Sequence, residues 1–403
     1  MMENIVRVLR RNRRRRGKKD SGFVQLFISK RLIHGAAAAL LGIFVPIFIY
    51  KTTGEQFYIV GGYYALLSAL YALFLVPGMR VANRLGFSHT LVLGGVCSVI
   101  LYGLMYFMTE ENFWWILPFL TIAITAFRVF HWVPYHVDFA LFTKDGERGR
   151  QVSLAFATIA FMGVIGPILA GFIIKYAGYD TLFAVAVVLL IAATISYSFV
   201  PETRTKFTWS YKKTLKQMRS KEYRGVVVGE AANGVEVGVT TIVWPIFLYE
   251  ILDGDVFEIG AISTVIVAVT IVLQLFVGKY IDKNSESKVK TLKIGSTLYA
   301  IGWIFKIFVL STFQVFFVGL YHNITKIFLK TPFSAILYDM SAEQGRYVDE
   351  FTVMREMAGH TGRAISLAAI ALATIYIPIG WTFVVAAAAS IAINMVYQTH
   401  KID

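Results

Sequence analysis

Long apolar stretches separated by short polar connections recur along the whole chain. Each stretch is close to the roughly 20 residues that a helix needs to cross the hydrocarbon core of a bilayer. The predicted spans are 32–50, 57–79, 88–108, 113–141, 152–176, 181–200, 225–251, 256–278, 292–311, 313–338, 353–376 and 379–398. The alternating segments of about 10 residues typical of a transmembrane β-barrel do not occur. The pattern therefore predicts an all-α membrane protein with twelve transmembrane helices.

Composition narrows the class of protein further. Hydrophobic residues make up 57% of the chain and charged residues only 16%, whereas about 25% of an ordinary soluble domain is charged. Mean hydropathy is +0.62. These values exclude a soluble enzyme, a disordered scaffold and a secreted disulfide module. The single cysteine, Cys97, cannot form a disulfide within the chain.

The net charge of +14 is unevenly distributed, and its distribution predicts an orientation. Residues 7–19 hold nine Arg and Lys side chains, and the even-numbered connections are also basic. The odd-numbered connections offer only Lys51 and Lys175. Because positive charge accumulates on the cytoplasmic side, both termini are expected in the cytoplasm of a cell-membrane protein. The basic tail either serves only as this topology signal or also attracts anionic lipids; a nucleic-acid partner is not expected.

Two halves of the chain resemble each other. A polar, basic linker at 201–224 divides a first six-helix bundle, 23–200, from a second, 225–403, and residues 1–22 form the tail. Arg128 and Pro134 in the fourth span correspond to Lys326 and Pro332 in the tenth at one offset of 198 residues. Such an internal duplication is typical of transporters.

Two short motifs carry a family resemblance. Gly278-Lys279-Tyr280-Ile281-Asp282-Lys283 has the pattern of the loop signature of the major facilitator superfamily, and Gly166-Pro167-Ile168-Leu169-Ala170-Gly171 resembles a signature of its antiporters. The chain resembles this superfamily over 23–400, which implies two pseudo-symmetric six-helix bundles that expose a central site alternately to each side. The resemblance assigns a conformational role to Arg80, Asn83, Arg84, Gly278, Asp282 and Lys283. The first-half copy departs from the signature, since Met79 replaces its glycine and Asn83 its aspartate.

Ionisable residues inside the spans are costly, so they are candidates for function. Arg128, His131 and Tyr135 recur at helical spacing in the fourth span, and His322 and Lys326 do so in the tenth. In the superfamily the first, fourth, seventh and tenth helices line the cavity, so the resemblance places Arg128 and Lys326 there.

The seventh span adds a polar stripe, and two interpretations of the interior charges compete. In the first, cations hold an anionic substrate group while Glu230 or Glu236 takes up the coupling proton. In the second, the charges pair only to neutralise the interior. The candidate substrate-binding residues are Arg128, His131, Tyr135, Asn233, Trp244, His322 and Lys326.

Further charged residues have open alternatives. Arg355 and Glu356, at the start of the eleventh span, are predicted to form gating contacts between the bundles, and Arg363 is either a third substrate cation or a partner of Glu356. Lys306 is predicted to pack or to reach toward the membrane surface. His34 is a candidate proton-relay or interfacial residue.

The resulting functional prediction is a proton-coupled secondary transporter. The chain has no Gly-x4-Gly-Lys-Ser/Thr loop for an attached ATPase and no Cys/His cluster with metal-ligand spacing, so neither cofactor nor metal is expected. The cations favour an organic anion as substrate, whereas the Gly-Pro motif favours efflux of amphiphiles by an antiporter. A membrane-embedded enzyme that acts on lipids through His131, His136 and Asp138 is the alternative from another class. The expected partners are a small solute and the bilayer, and the protein is expected to be a monomer.

Overall fold

The computed structural model describes residues 21–142, 148–204, 207–281, 288–344 and 347–401, and its regular elements in these ranges are helices. Eight helices are long and apolar enough to cross a membrane. They are Ser21–Leu41, Phe57–Leu85, Phe87–Tyr106, Phe113–Phe139, Ala157–Tyr197, Arg224–Ile251, Val256–Leu273 and Ile379–Tyr397. The prediction of an all-α membrane protein is confirmed.

The first half of the chain forms helices α1 to α6. Their bounds are Phe27–Ile33, His34–Leu41 and Phe44–Thr52 for the three parts of α1, Phe57–Leu85 for α2, Phe87–Tyr106 for α3 and Phe113–Phe142 for α4. A single helical run, Arg148–Tyr197, follows and breaks at Gly178, whose φ of 83° lies in the left-handed region. We name the part before the break α5 and the part after it α6. Glycine adopts this φ without the steric penalty of a Cβ.

The second half repeats this plan after a short linker helix, Tyr211–Met218. Its bounds are Arg224–Gly238, Val239–Val243 and Trp244–Ile251 for α7, Val256–Ile281 for α8, Lys288–Ile307 for α9, Thr312–Glu343 for α10, Val348–Ala373 for α11, and Ile379–Thr382, Phe383–Ala392 and Ile393–Lys401 for α12.

The predicted count of twelve spans differs from the eight apolar helices for two physical reasons. One apolar helix, Ala157–Tyr197, contains two predicted spans because α5 and α6 join without a loop. Helices α9, α10 and α11 correspond to three further predicted spans. Their ionisable side chains lower the mean hydropathy, so these three helices are not among the eight apolar ones. Each of the twelve predicted segments nevertheless lies mainly in a helix, although several run past its end, as residues 308–311 do after α9.

Equivalent helices pack against each other in the two halves. In the first half α1 packs on the α5–α6 run, α2 on α4, and α3 on α4 and on the α5–α6 run. In the second half α7 packs on α11 and α12, α8 on α10, and α9 on α10 and α12. Each pair in one half has a counterpart six helices away in the other.

The two halves meet through α2 against α11 and α5 against α8. The α5–α8 contact is close because glycine occupies both surfaces: a Cβ on Gly260 would lie 2.3 Å from the Pro167 carbonyl oxygen, and one on Gly171 would lie 2.7 Å from that of Val256. The Gly-Pro motif of the fifth span therefore lies in an inter-half contact.

The linker is attached to both halves at one end of the bundle, which we call the linker end. The Glu202 carboxylate lies 2.7 Å from His89 Nδ1 at the start of α3, and the Thr203 hydroxyl donates to Asp138 of α4. The backbone N–H and hydroxyl of Thr208 both donate to Glu350 of α11 at 2.8 Å. These contacts fix the linker against the helices that carry the interior charges.

Candidate functional site

A chain of polar contacts connects three helices of the second half. Arg355 of α11 forms an ion pair with Glu230 of α7, with 2.6 Å between Nη2 and Oε1. The Asn233 amide donates to the other oxygen of Glu230 at 3.1 Å. Lys330 of α10 donates to the Asn233 carbonyl oxygen and forms an ion pair with Glu236 at 2.5 Å. Asn233 thereby bridges two ion pairs.

Small residues bring α7 and α11 close enough for the first of these pairs. A Cβ on Gly234 would lie 1.8 Å from the Gly359 carbonyl oxygen, and one on Gly362 would lie 2.2 Å from that of Ala231. The two backbones are therefore in direct contact. This close approach positions Glu230 and Arg355 side by side.

Glu236 has three hydrogen-bond donors in the interior of the second half. Besides Lys330, it accepts from the Tyr299 hydroxyl at 2.5 Å and from the Thr240 hydroxyl at 2.6 Å. Only 1% of the Glu236 residue is exposed. The carboxylate is thus fully removed from solvent yet well satisfied, as a buried charge must be.

Two further basic residues of the second half lie among aromatic rings. The Lys306 ammonium is 3.8 Å from the Trp244 ring centroid and 4.1 Å from that of Trp303, a cation–π arrangement. Lys306 is buried, so it packs in the interior and does not reach toward the membrane surface. The His322 ring lies 4.1 Å from Tyr299 and 4.5 Å from Trp303.

Arg128 of α4 and Arg363 of α11 face each other across the contact between the halves. Arg128 is close enough to act electrostatically on Arg363 and on His360. Buried Nη1 of Arg128 and buried Nε of Arg363 have no hydrogen-bond partner. The Glu356 carboxylate also acts electrostatically on Arg363, and its Oε2 accepts from the Tyr71 hydroxyl of α2 at 3.5 Å. The geometry thus leaves unused N–H donors from both halves in one place.

Lys326 of α10 lies within electrostatic reach of Glu236 and Lys330. We call eight charged residues of this region the central cluster. Its members are Arg128, Glu230, Glu236, Lys326, Lys330, Arg355, Glu356 and Arg363.

A family model described as Major Facilitator Superfamily matches residues 31–229. The chain belongs to the major facilitator superfamily. Among curated proteins, this major facilitator protein is similar to YqgE of Bacillus subtilis, an uncharacterized protein, with 22% identity over 346 residues that cover 83% of this chain and 79% of that one.

Solved transporter structures share the fold. A POT family transporter in complex with 5-aminolevulinic acid has a TM-score of 0.65 at 12% identity, covering 95% of both chains. A peptide transporter POT in complex with alafosfalin has a TM-score of 0.66 at 11% identity, covering 94% of both chains. The human organic anion transporter MFSD10 has a TM-score of 0.67 at 12% identity, covering 94% of this chain and 99% of that chain. At such identities the similarity establishes the fold.

The major facilitator protein places its predicted site residues in two separate regions. Arg128 and Lys326 lie in the central cluster, and Asn233 links its ion pairs. His131 and Tyr135 are instead buried among first-half helices toward the linker end. The His131 ring packs 4.7 Å from His34 and 5.5 Å from Tyr197. Trp244 and His322 lie in the aromatic environment of Lys306.

The predicted gating residues differ in their contacts. Arg355 pairs with Glu230, which belongs to the same half, whereas Glu356 contacts Tyr71 of the other half. Arg363 lies within electrostatic reach of both Glu356 and Arg128, but among the described residues it forms no ion pair with Glu356 within 4 Å. The role of Arg363 stays a prediction. The gating role itself stays a prediction.

The conformational loop of the first half lies at the linker end. Arg80 and Arg84 are exposed, Asn83 is half-buried, and Gly86 ends the helix with a φ of 92°. In the second half Gly278 lies in α8, and Asp282 and Lys283 lie outside the described residues. The conformational role of both loops stays a prediction.

Lys330 and Tyr299 belong to the site but are not among the predicted residues. Lys330 lies four residues after Lys326, so helical spacing alone could have placed both on one face of α10. Tyr299 has no comparable signal, because its hydroxyl reaches Glu236 of α7 from another helix, α9, and only the tertiary fold brings the two together.

Proposed function

We propose that this protein is a proton-coupled secondary transporter of a small organic anion. The superfamily and the fold of its structural neighbours support secondary transport. The observation that supports an anion is the pair of unused buried donors on Arg128 and Arg363, one from each half. A carboxylate or phosphate between them would accept from both arginines, whose planar groups suit bidentate binding of such anions. Binding would then draw the halves together around the solute.

The charge balance of the central cluster supports the same conclusion. The cluster holds five basic and three acidic side chains. Two of the acids are engaged in ion pairs with Arg355 and Lys330. All five basic residues are half-buried. An excess of positive charge that is partly removed from solvent is unfavourable unless a counter-ion joins it, and an anionic substrate supplies that charge.

Proton coupling would use the ion pairs of α7. Protonation of Glu230 or Glu236 removes the charge that holds Arg355 or Lys330, so the freed cation can attract the substrate or release a helix contact. Glu356 is a further candidate for the coupling carboxylate. Its side chain is 33% exposed, and among the described residues the basic group within 4 Å of its carboxylate is the His360 ring, at 3.9 Å. The pairs thus offer a physical link between proton uptake and movement.

The first experiment measures binding by thermal shift of the purified protein with organic anions, lipophilic cations, sugars and amino acids. Anions are expected to stabilise the wild type, and Arg128→Gln is expected to weaken their affinity at least about tenfold because it removes a charged contact of about 1.5–3 kcal/mol. Arg219→Gln, at the exposed end of the linker helix, is the matched control. Unchanged anion affinity in Arg128→Gln would contradict the proposal.

A second experiment separates coupling from binding. In proteoliposomes, Glu230→Gln and Glu236→Gln are each compared for accumulation driven by a pH gradient and for solute exchange without a gradient. Loss of accumulation with retained exchange supports a coupling carboxylate. Accumulation that persists in both variants would remove these two residues from the coupling step and leave Glu356→Gln as the remaining test.

The Gly-Pro motif supports efflux of amphiphiles as a second candidate function. Gly171 and Pro167 lie where α5 contacts α8 between the halves, as a motif that regulates movement of the halves would require. Stabilisation by lipophilic cations alone, unaffected by Arg128→Gln, would favour this function over anion transport.

The alternative of a lipid-modifying enzyme has less support. Asp138 accepts a hydrogen bond from Thr203 of the linker, and His131 is stacked on His34. These contacts give the two residues separate structural environments.

A further inference from the structure

A second group of basic side chains, none of which belongs to the central cluster, lies at the linker end of the first half. Lys30 and Arg31 belong to the π-helical part of α1, and Trp132 and His136 belong to α4. The Lys30 ammonium is 4.6 Å from the Trp132 ring centroid, and the Arg31 guanidinium is 5.1 Å from that of Tyr135. We call Lys30, Arg31, His34, His131, Trp132 and His136 the linker-end cluster.

The charged groups that act most strongly on the residues of this cluster are all basic. Arg31 acts on Lys30, and Lys30 acts on His34 and His131. The charged groups acting on His136 are Lys30, Arg31 and, from α11, Arg355. In the described part of the chain, neither Lys30 nor Arg31 has a carboxylate within ion-pair distance.

This arrangement is unfavourable without an anion. Only 7% of Lys30 is exposed, so its ammonium has lost most of its water while lying beside another cation. A buried charge is tolerated when an opposite charge or hydrogen bonds replace the lost hydration. The cation–π contacts with Trp132 and Tyr135 replace part of it.

Several N–H groups of the cluster are also unused. Arg31 Nε, His34 Nδ1 and both ring nitrogens of His131 are buried without a hydrogen-bond partner. Arg31 Nε always carries a hydrogen, and a neutral imidazole carries one on a ring nitrogen, so the cluster holds buried donors that lack acceptors. A ligand that accepts hydrogen bonds would satisfy them.

We propose that the linker-end cluster is a second anion site, which takes a carboxylate or phosphate group attached to a flat apolar body. The anionic group would lie between Lys30 and Arg31. The apolar body would pack on Trp132, which is 38% exposed and whose ring is stacked at 6.0 Å and 22° on that of His136. Two sources supply an anionic group with an apolar part: a soluble aromatic anion on its way to or from the central cluster, and an anionic lipid, in which acyl chains take the place of the flat body.

The test uses benzoate as the soluble probe and vesicles of phosphatidylcholine with or without phosphatidylglycerol as the lipid probe. The full chain is compared with a Lys30→Gln/Arg31→Gln variant by calorimetric titration and by thermal unfolding. Lys51→Gln is the matched control, since Lys51 lies on the opposite end of α1, is exposed, and is also within 6.0 Å of tyrosine rings.

We expect the probe to stabilise the wild type and Lys51→Gln. In the Lys30→Gln/Arg31→Gln variant, the apparent affinity for the probe is expected to be at least about tenfold lower. We also expect the double variant to be at least as stable as the wild type without any anion, because the variant removes two unbalanced charges. Trp132→Phe, which keeps a ring but weakens the cation–π contact, is expected to lie between the two. A Lys30→Gln/Arg31→Gln variant that is unfolded in the absence of probe contradicts the expectation that it is at least as stable as the wild type.

Each pattern of results has one meaning. Loss of the benzoate response identifies a solute site, and loss of only the phosphatidylglycerol response identifies a lipid site. Equal responses of wild type and double variant to both probes overturn the proposal. Because Arg128→Gln removes one of the five basic side chains of the central cluster and leaves Lys30 in place, retained binding at the linker end in that variant keeps this inference separate from the proposed transport function.

Discussion

At the scale of single residues, the charges of the second half are tied together so tightly that removing one affects its partner. Glu236 is almost completely buried and depends on Lys330, Tyr299 and Thr240. We predict that Lys330→Met lowers the free energy of unfolding by about 3–5 kcal/mol, because it leaves a buried carboxylate without its counter-charge. The measurement is thermal and denaturant unfolding of the purified protein in detergent.

A double variant shows whether the missing counter-charge is the cause of the lost stability. Lys330→Met/Glu236→Gln removes both charges, so it is expected to recover most of the lost stability. Lys288→Met breaks an exposed pair with Asp339 and is expected to change stability by less than about 1 kcal/mol. A Lys330→Met protein as stable as Lys288→Met would show that Glu236 does not require its ion pair.

At the scale of elements, α8 begins with a cap that also links the halves. Asp255 accepts from the backbone N–H groups of Phe257 and Glu258 and from Lys175 of α5. The backbone hydrogen bond from Glu258 is the main cause that lowers the pKa of Asp255 below its ordinary value of 3.8. The ionised form is therefore favoured in the folded protein.

The sign of the pH dependence follows from this direction. A carboxyl whose pKa is lower in the folded than in the unfolded state stabilises the fold above the unfolded pKa and loses that contribution as pH falls through the folded pKa. We predict that Asp255→Asn lowers the melting temperature at pH 6 and that the difference from wild type shrinks as pH falls below about 4. Melting curves between pH 3 and 7 measure this, and a constant difference would contradict an ionised cap.

The α7–α11 contact gives a second prediction for elements. Gly234→Ala would place a methyl group 1.8 Å from the Gly359 carbonyl oxygen, which neither backbone can avoid without separating the helices. We expect a loss of at least about 1–3 kcal/mol, the usual cost of overpacking, together with a weakened Glu230–Arg355 pair. Gly62→Ala on α2 is the control, because nothing lies within 4 Å of the added Cβ. Unfolding curves that coincide for the two variants would refute the close contact.

The elements also show what the sequence could predict. An apolar run of membrane length must satisfy its backbone internally and therefore becomes helix, so each of the twelve predicted segments lies mainly in a helix. The continuous α5–α6 run was not predicted, since its break depends on a single φ at Gly178. Spacing placed His131 on the face of Arg128, but the packing of α1 and α6 holds its ring inside the first half. Partners across helices, such as Tyr299 and Glu236, depend on helix rotation, which no local pattern encodes.

At the scale of the whole molecule, three polar contacts join the halves at the end opposite the linker. The Tyr50 hydroxyl donates to Glu250 at 2.7 Å, the Tyr249 hydroxyl donates to Glu55 at 3.2 Å, and Lys175 forms an ion pair with Asp255. The α5–α8 glycine contact lies near this end as well. Alternating access requires these contacts to separate when the site opens toward that side.

We predict that Tyr50→Phe/Glu250→Gln increases the fraction of molecules open at this end about fivefold or more, because a hydrogen bond to a charged group contributes about 1.5–3 kcal/mol. Spin labels on cysteines replacing Gln56 and Asp253, both exposed, report the distance between the halves once Cys97 is replaced by serine. The variant is expected to gain a longer-distance population. Asp339→Asn, which breaks an exposed pair inside the second half, is expected to leave the distances unchanged. A distance distribution identical in wild type and Tyr50→Phe/Glu250→Gln would mean that the Tyr50–Glu250 hydrogen bond contributes nothing to the balance between the two states, because the remaining polar contacts and the α5–α8 packing would then keep this end closed without it.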